Sequence, residues 1–168
     1  ATLLDNIRML SSGRASRVVV FCGASTAEAV TTLASALAAH AEQSGMKAFV
    51  GTLTRTTRGT VVAPAADFST VATTLEIDLN AGSSTAELQG WVERVAPASD
   101  LVVLTGPPLA TSIDAALLAC ACDGLVIVAE SEVTERAALQ IAAERARIAG
   151  CRTLGIVMHG TKERLPEW

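Results

Sequence analysis

The chain has 168 residues, a formal net charge of −4 and a hydrophobic fraction of 50%, with aromatic residues only 3% of the total. That length allows one sizeable core and is short for two. Thirteen Lys and Arg against seventeen Asp and Glu leave no basic stripe for nucleic acid. The charge-free runs, such as Ala29–Ala41, fall short of the ~18 residues a membrane span needs. No signal-peptide pattern opens the chain, and its first residue, Ala1, suggests a fragment of something longer.

Taken in order, Leu3–Leu10 reads as a short amphipathic helix closed by the turn Ser11–Ser12–Gly13. Val18–Cys22 is an unbroken apolar run, the mark of a buried strand. Thr26–Ser44 is a helix stopped at Gly45, and Ala48–Leu53 is a second strand. Thr54–Gly59 is a polar loop that carries Arg55 and Arg58. Thr73–Leu79 alternates enough to be a third strand at a sheet edge. Ser84–Val95 is helical, packs Trp91 on the sheet and ends before Pro97. Leu101–Thr105 is another buried strand, after which Gly106–Pro107–Pro108 forces an extended loop.

Ser112–Cys122 is a helix, Asp123–Gly124 a turn and Leu125–Ala129 a strand. Thr134–Ala149 is the clearest amphipathic helix, with an apolar face of Ala138, Ile141, Ala142 and Ile148, closed by Gly150. Thr153–Met158 is the last strand, and His159–Trp168 a polar tail. Strands alternating with helices, and an apolar mass of Ala, Val and Leu, predict a single α/β domain. Its sheet is doubly wound and mostly parallel, with helices on both faces in three layers.

Residues 18–38 have the architecture of a phosphate-binding strand–loop–helix. In a working P-loop, glycines let backbone amides curl around phosphates, and a lysine reaches the outer ones. Here Gly23 closes the strand, the glycine positions read Ala27 and Ala29, and the lysine position reads Val30. Only the following hydroxyls, Thr31 and Thr32, persist. Ser25-Thr26-Ala27-Glu28 instead forms a capping-box pattern, with Ser25 as N-cap and Glu28 reaching back to it.

Other chemistry-bearing residues read as structural. His40 and His159 lie far apart and lack a Ser or Cys elbow, so a triad has no support. Asp100 and Asp123 belong to turns and Asp114 to a helix start, the alternative being a carboxylate cluster at the sheet's carboxyl edge. Arg55 and Arg58 suit an anion, a partner or plain solvent. Cys22, Cys120, Cys122 and Cys151 have neither zinc nor redox spacing and read as reduced, buried thiols.

On these segments the chain resembles the bacterial tyrosine kinases (BY-kinases) of capsule and exopolysaccharide systems, relatives of the MinD/ParA ATPases with a deviant Walker motif. Asn6–Leu10 matches the end of the family's first helix, Val18–Ala38 its P-loop unit and Gly45–Thr54 its second strand. Asp100–Pro108 matches the Walker B region, Asp114–Ala115 a helix start, and Asp123–Gly155 the last strand–helix–strand. Only 60–90 matches poorly. The departures fall on the chemistry. The lysine is Val30, the two magnesium-side aspartates are Thr52 and Thr54, and the aspartate before Thr-Pro-Pro is Thr105. The family's tyrosine cluster has no counterpart, because the chain contains no tyrosine. The arginines of ring assembly fall on Ala1 and Leu4, and Glu28 occurs in active relatives too.

The resemblance therefore implies a pseudokinase with no catalytic residue, no metal and no cofactor. It would be a docking or regulatory module on the cytoplasmic side, tethered to the inner membrane through a region outside this sequence. Its partner would be a protein of the polysaccharide export machinery, with a homo-oligomer as a further option. Phosphoryl transfer rests on positioning and electrostatics, and each charge-assisted bond contributes roughly 1.5–3 kcal/mol. Losing the lysine, the metal carboxylates and the glycine nest should cost at least ~5 kcal/mol, three to four orders of magnitude in affinity. The alternatives are ATP and Mg2+ bound weakly, with Thr31 and Thr32 on the metal and Arg55 or Arg58 in place of the lysine, or a small anion at the Ser25 helix start.

Overall fold

The computed structural model describes residues 3, 5, 7, 18–52, 89, 90, 92, 93, 99–112 and 114–160. The predicted strand 73–79, the arginine loop 54–59, Trp91 and the tail beyond 160 lie outside the described residues, as does most of the predicted helix 84–95. Five strands are described: β1 Val18–Gly23, β2 Ala48–Thr52, β3 Leu101–Gly106, β4 Gly124–Glu130 and β5 Thr153–His159. Helices α1 Glu28–Gln43, α2 Asp114–Ala119 and α3 Arg136–Ile148 accompany them, and the described residues 3, 5, 7, 89, 90, 92 and 93 are helical as well. Every pairing is parallel, in the order β2-β3-β1-β4-β5.

β1 is the centre because its sequence tolerates burial on both faces and both edges. Val20 stands in register with Leu104 of β3 on one side and Leu125 of β4 on the other. All six residues of β1 are buried, as are all six of β3 and the first six of β4. Such runs of β-branched and aliphatic residues are what parallel sheets covered on both faces require.

α1 covers one face with a stripe of Ala29, Val30, Ala34, Leu37 and Ala41, which packs with Ile7 on Val19, Phe21, Val103 and Val128. It ends in a Schellman turn: Gly45 takes φ +79°, its amide donates to Glu42 O, and the Met46 amide donates to Ala41 O. α2 and α3 cover the opposite face through Ala115, Ala116, Ala119, Ala142 and Ala146. Small residues there let the helices approach the sheet closely. No helix of the described residues is long and apolar enough to cross a membrane.

The expected apolar face of α3 needs correction. Ala142 and Ala146 are buried, whereas Ile141 and Ile148 remain 46% and 64% exposed. The inner stripe is Ala142 and Ala146, flanked by the half-buried Ala138, Leu139, Arg145 and Ala149. Arg145 belongs beside it because its guanidinium donates to the Leu109 carbonyl at 2.7 Å. His159 likewise is the last residue of β5 and not part of the tail, since its carbonyl accepts the Ser131 amide at 2.8 Å.

Candidate functional site

In an open parallel sheet the ligand crevice lies beyond the carboxyl ends of the strands, where the winding direction reverses. Here that place is the end of β1, and the four residues Ala24–Ala27 join it to α1. The loop is tied down by backbone bonds. The Ala24 amide donates to Val128 O of β4 at 2.8 Å, and Gly23 and Ala24 carbonyls accept the amides of Leu109 and Ala110 at 2.9 Å each. The extended Pro107–Pro108 segment thus brings its following turn against the loop, and Arg145 holds that turn from α3.

The loop also folds back on itself. A β-carbon added at Gly23 would overlap the Thr26 carbonyl oxygen, so only glycine fits there. The Thr26 hydroxyl donates to the carboxylate of Glu130 at the end of β4. Glu130 is itself fixed, because its amide donates to Thr134 Oγ1 at 2.8 Å and its carbonyl accepts the Thr134 amide at 2.8 Å. Ser25 Oγ is buried without a hydrogen-bond partner.

The predicted capping box does not form. α1 starts at Glu28, its N-cap is Ala27 (φ −109°, ψ −5°), and no side chain caps it. The reason is tertiary. The Thr26 hydroxyl goes to Glu130, Ser25 points its oxygen inward, and Glu28 remains exposed in the first turn, where it suits the helix dipole. Ala27 and Ala29 sit without positive φ, which among the described non-glycine residues occurs only at Glu132. Ala29 and Val30 are buried in the α1 core, at 5% and 1% exposure, while Thr31 and Thr32 face solvent.

Of the remaining predicted positions, Thr52 and Thr105 are brought together. Thr105 is buried, and its hydroxyl lies 3.0 Å from Thr52 Oγ1 across β2 and β3, in register. Thr54 lies outside the described residues. Asp100 and Asp123 are at the opposite, amino edge: Asp100 accepts the Lys47 amide at 2.8 Å, and Asp123 accepts the Val18 amide at 2.9 Å. They anchor strand starts, so they form no cluster with the loop. Asp114 opens α2. His40, in the last turn of α1, and His159, at the end of β5, stay apart.

Two residues of this edge escaped the sequence reading, Glu130 and Arg145. The only sign of Glu130 was a charge directly after a buried strand. The charge balance at the loop is acidic, because no lysine or arginine occurs from Gly23 to Met46. Among the described residues, no group of three or more His, Cys, Asp or Glu is placed to hold a metal ion. The four thiols do not match the expected uniform burial either: Cys22 is buried, but Cys120 is exposed.

The described strands form a parallel, doubly wound sheet with α1 springing from the end of the central one, and the following likenesses give it a BY-kinase-like, P-loop-type α/β fold. No family model matches it. The tyrosine-protein kinase CpsD of Streptococcus agalactiae is 31% identical over 72 residues, which are 43% of this chain and 31% of CpsD. The match thus spans about a third of that relative's length. Among solved structures, the kinase domain of the Escherichia coli tyrosine kinase ETK aligns with TM-score 0.70 and 17% identity, over 96% of this chain and 73% of that one. The VpsO kinase domain aligns with TM-score 0.67 and 13% identity, over 96% and 93%.

Proposed function

We propose that this chain is a BY-kinase-like domain that has given up phosphoryl transfer and serves as a regulatory or docking module in capsule or exopolysaccharide biosynthesis, chain-length control and export. The kinship with tyrosine kinases supports the pathway. The observation that carries the loss of catalysis is the closure of the β1–α1 loop by Thr26 on Glu130. A carboxylate is bonded into the loop where a nucleotide-binding relative needs room and positive charge for phosphates.

Magnesium–ATP does not fit the residues present. Val30 is packed in the core instead of offering an ammonium, and Thr52 and Thr105 satisfy each other where carboxylates would hold the metal. Thr31 and Thr32 are exposed on α1, outside the core that β1 and α1 share. The missing charge-assisted bonds amount to at least ~5 kcal/mol, which moves a micromolar site into the millimolar range. The module would act on the cytoplasmic side, tethered through a neighbouring membrane segment, with a protein of the export machinery as its partner. Calorimetry with magnesium–ATP tests this: no saturable heat is expected below millimolar nucleotide, and low-micromolar binding would end the reading.

A further inference from the structure

The amino edge of the sheet holds a feature that the kinase-like fold does not use. α3 closes in a second Schellman turn, in which Gly150 takes φ +75°, its amide donates to Arg147 O at 3.1 Å and the Cys151 amide donates to Ala146 O at 3.0 Å. That turn fixes Cys151 against the end of α2. Cys120 follows the last residue of α2, and its amide still donates to Ala116 O at 3.2 Å. Two helix ends thus deliver two thiols, 31 residues apart in sequence, to one place, with their sulfurs 2.8 Å apart.

The immediate surroundings are backbone carbonyls. Cys151 Sγ donates to Ala116 O at 2.6 Å, while Cys120 Sγ lies 3.2 Å from Ala116 O and 3.0 Å from Ala149 O. A disulfide has an S–S distance of about 2.05 Å, so a closing movement of under about 1 Å would join them. Cys120 is exposed, Cys122 and Cys151 are partly so, and Cys22 is buried. Desolvation pushes the Cys22, Cys122 and Cys151 thiols all up to about 12, so it is the placement of Cys151 beside the exposed Cys120, and not its acidity, that suits it to close the bond.

We infer that Cys120 and Cys151 form an oxidisable dithiol site that a hydroperoxide converts into an intramolecular disulfide. The exposed Cys120 sulfur attacks one peroxide oxygen, the O–O bond breaks, and Cys120 becomes a sulfenic acid as the thiol proton leaves with the departing oxygen, as water from hydrogen peroxide or as an alcohol from an organic hydroperoxide. Cys151 then attacks the sulfenic sulfur, the S–O bond breaks, and hydroxide takes the Cys151 proton to leave as water. The peroxide is reduced and the two thiols are oxidised by two electrons in all. The new bond ties the end of α2 to the α3–β5 turn, clear of the β1–α1 loop.

The test is to treat the reduced chain with one equivalent of hydrogen peroxide, then combine intact mass, peptide mapping after alkylation and thermal melting. The wild type should lose the mass of two hydrogen atoms, yield a linked Cys120–Cys151 peptide and gain on the order of 5–10 °C in melting temperature, reversed by dithiothreitol. Cys151→Ser should instead leave Cys120 as a sulfenic acid that dimedone traps, and Cys120→Ser should abolish the mass loss. Disulfide-linked dimers, a bond to Cys122, or wild-type Cys120 over-oxidised beside a still alkylatable Cys151 would overturn the site.

Discussion

The two edges of the sheet use the same chemical groups for one purpose, although folds of this kind usually divide the labour between them. At the amino edge, Asp123 exchanges bonds with Val18, taking its amide at 2.9 Å and giving its own amide to Val18 O at 2.8 Å. Asp100 does the same with Lys47. These carboxylates fix where β1 and β2 begin. At the carboxyl edge, where a ligand crevice is expected, Glu130 takes the Thr26 hydroxyl, Thr105 meets Thr52, and the loop backbone is shared among β4 and the turn after Pro108. Among the described residues, polar groups there satisfy one another, the arrangement on which the proposed loss of phosphoryl transfer rests. Ser25 Oγ, buried and unpaired, is the exception.

The largest effect on this comparison should come from Gly23→Ala. The added carbon overlaps the Thr26 carbonyl, and urea unfolding should show a loss of about 3 kcal/mol or more. A neutral result would mean that the loop opens freely. Val30→Lys, which restores the residue type of an active P-loop, should cost roughly 2–4 kcal/mol, because it buries an ammonium among Phe21, Ala34 and Leu37. It should bring no gain in magnesium–ATP binding by calorimetry, and a tight site in this variant would break the distinction between the edges.

Next in size, Asp123→Ala should destabilise by about 1.5–3 kcal/mol, as loss of a charged acceptor for a strand amide. Asp100→Ala should cost less, since that bond is exposed. Thr105→Val should cost about 0.5–1.5 kcal/mol. In a double-mutant cycle with Thr52→Val the penalty should be less than additive, because the two hydroxyls serve each other.

The effect that is smallest near neutral pH, and grows only in strong alkali, is one of titration. Burial raises the Cys22 and Cys122 thiols from 9.0 to about 12. Above about pH 9 the unfolded chain releases protons that the folded chain keeps, so stability should fall as pH rises from 9 toward 12. Below the unfolded value both states hold the proton and no dependence is expected from these groups. Chemical denaturation across the alkaline range checks the sign.

The central sheet was plain in the sequence because burial on both faces leaves an unambiguous mark: VVVFC, LVVL and LVIVA are apolar without interruption. All five described strands begin within one residue of their expected positions. The helices were harder. In α3, bulky Ile141 and Ile148 were read onto the apolar face beside Ala138 and Ala142, and Ala146 was passed over, yet close packing on a sheet selects the small residues. At the start of α1, Ser25 and Glu28 form a proper local capping pattern, but Thr26 finds a stronger acceptor 104 residues away in Glu130. No local reading contains that partner. The same holds for Cys120 and Cys151, which two helix caps bring together and sequence spacing does not. The positions of the altered P-loop, Val30, Thr52 and Thr105, were legible only against a family pattern, and the contact between Thr52 and Thr105 was not legible at all.

The claim that the β1–α1 loop is closed by its own side chains is tested most directly residue by residue. Isotope-labelled protein is titrated with magnesium–ATP while the backbone amide signals of Ala24–Val30 are followed by NMR. The expected result is no saturable shift of those amides below millimolar nucleotide, with Thr26 unchanged as long as Glu130 holds it. Saturating shifts centred on Ala24–Val30 at micromolar nucleotide would contradict it.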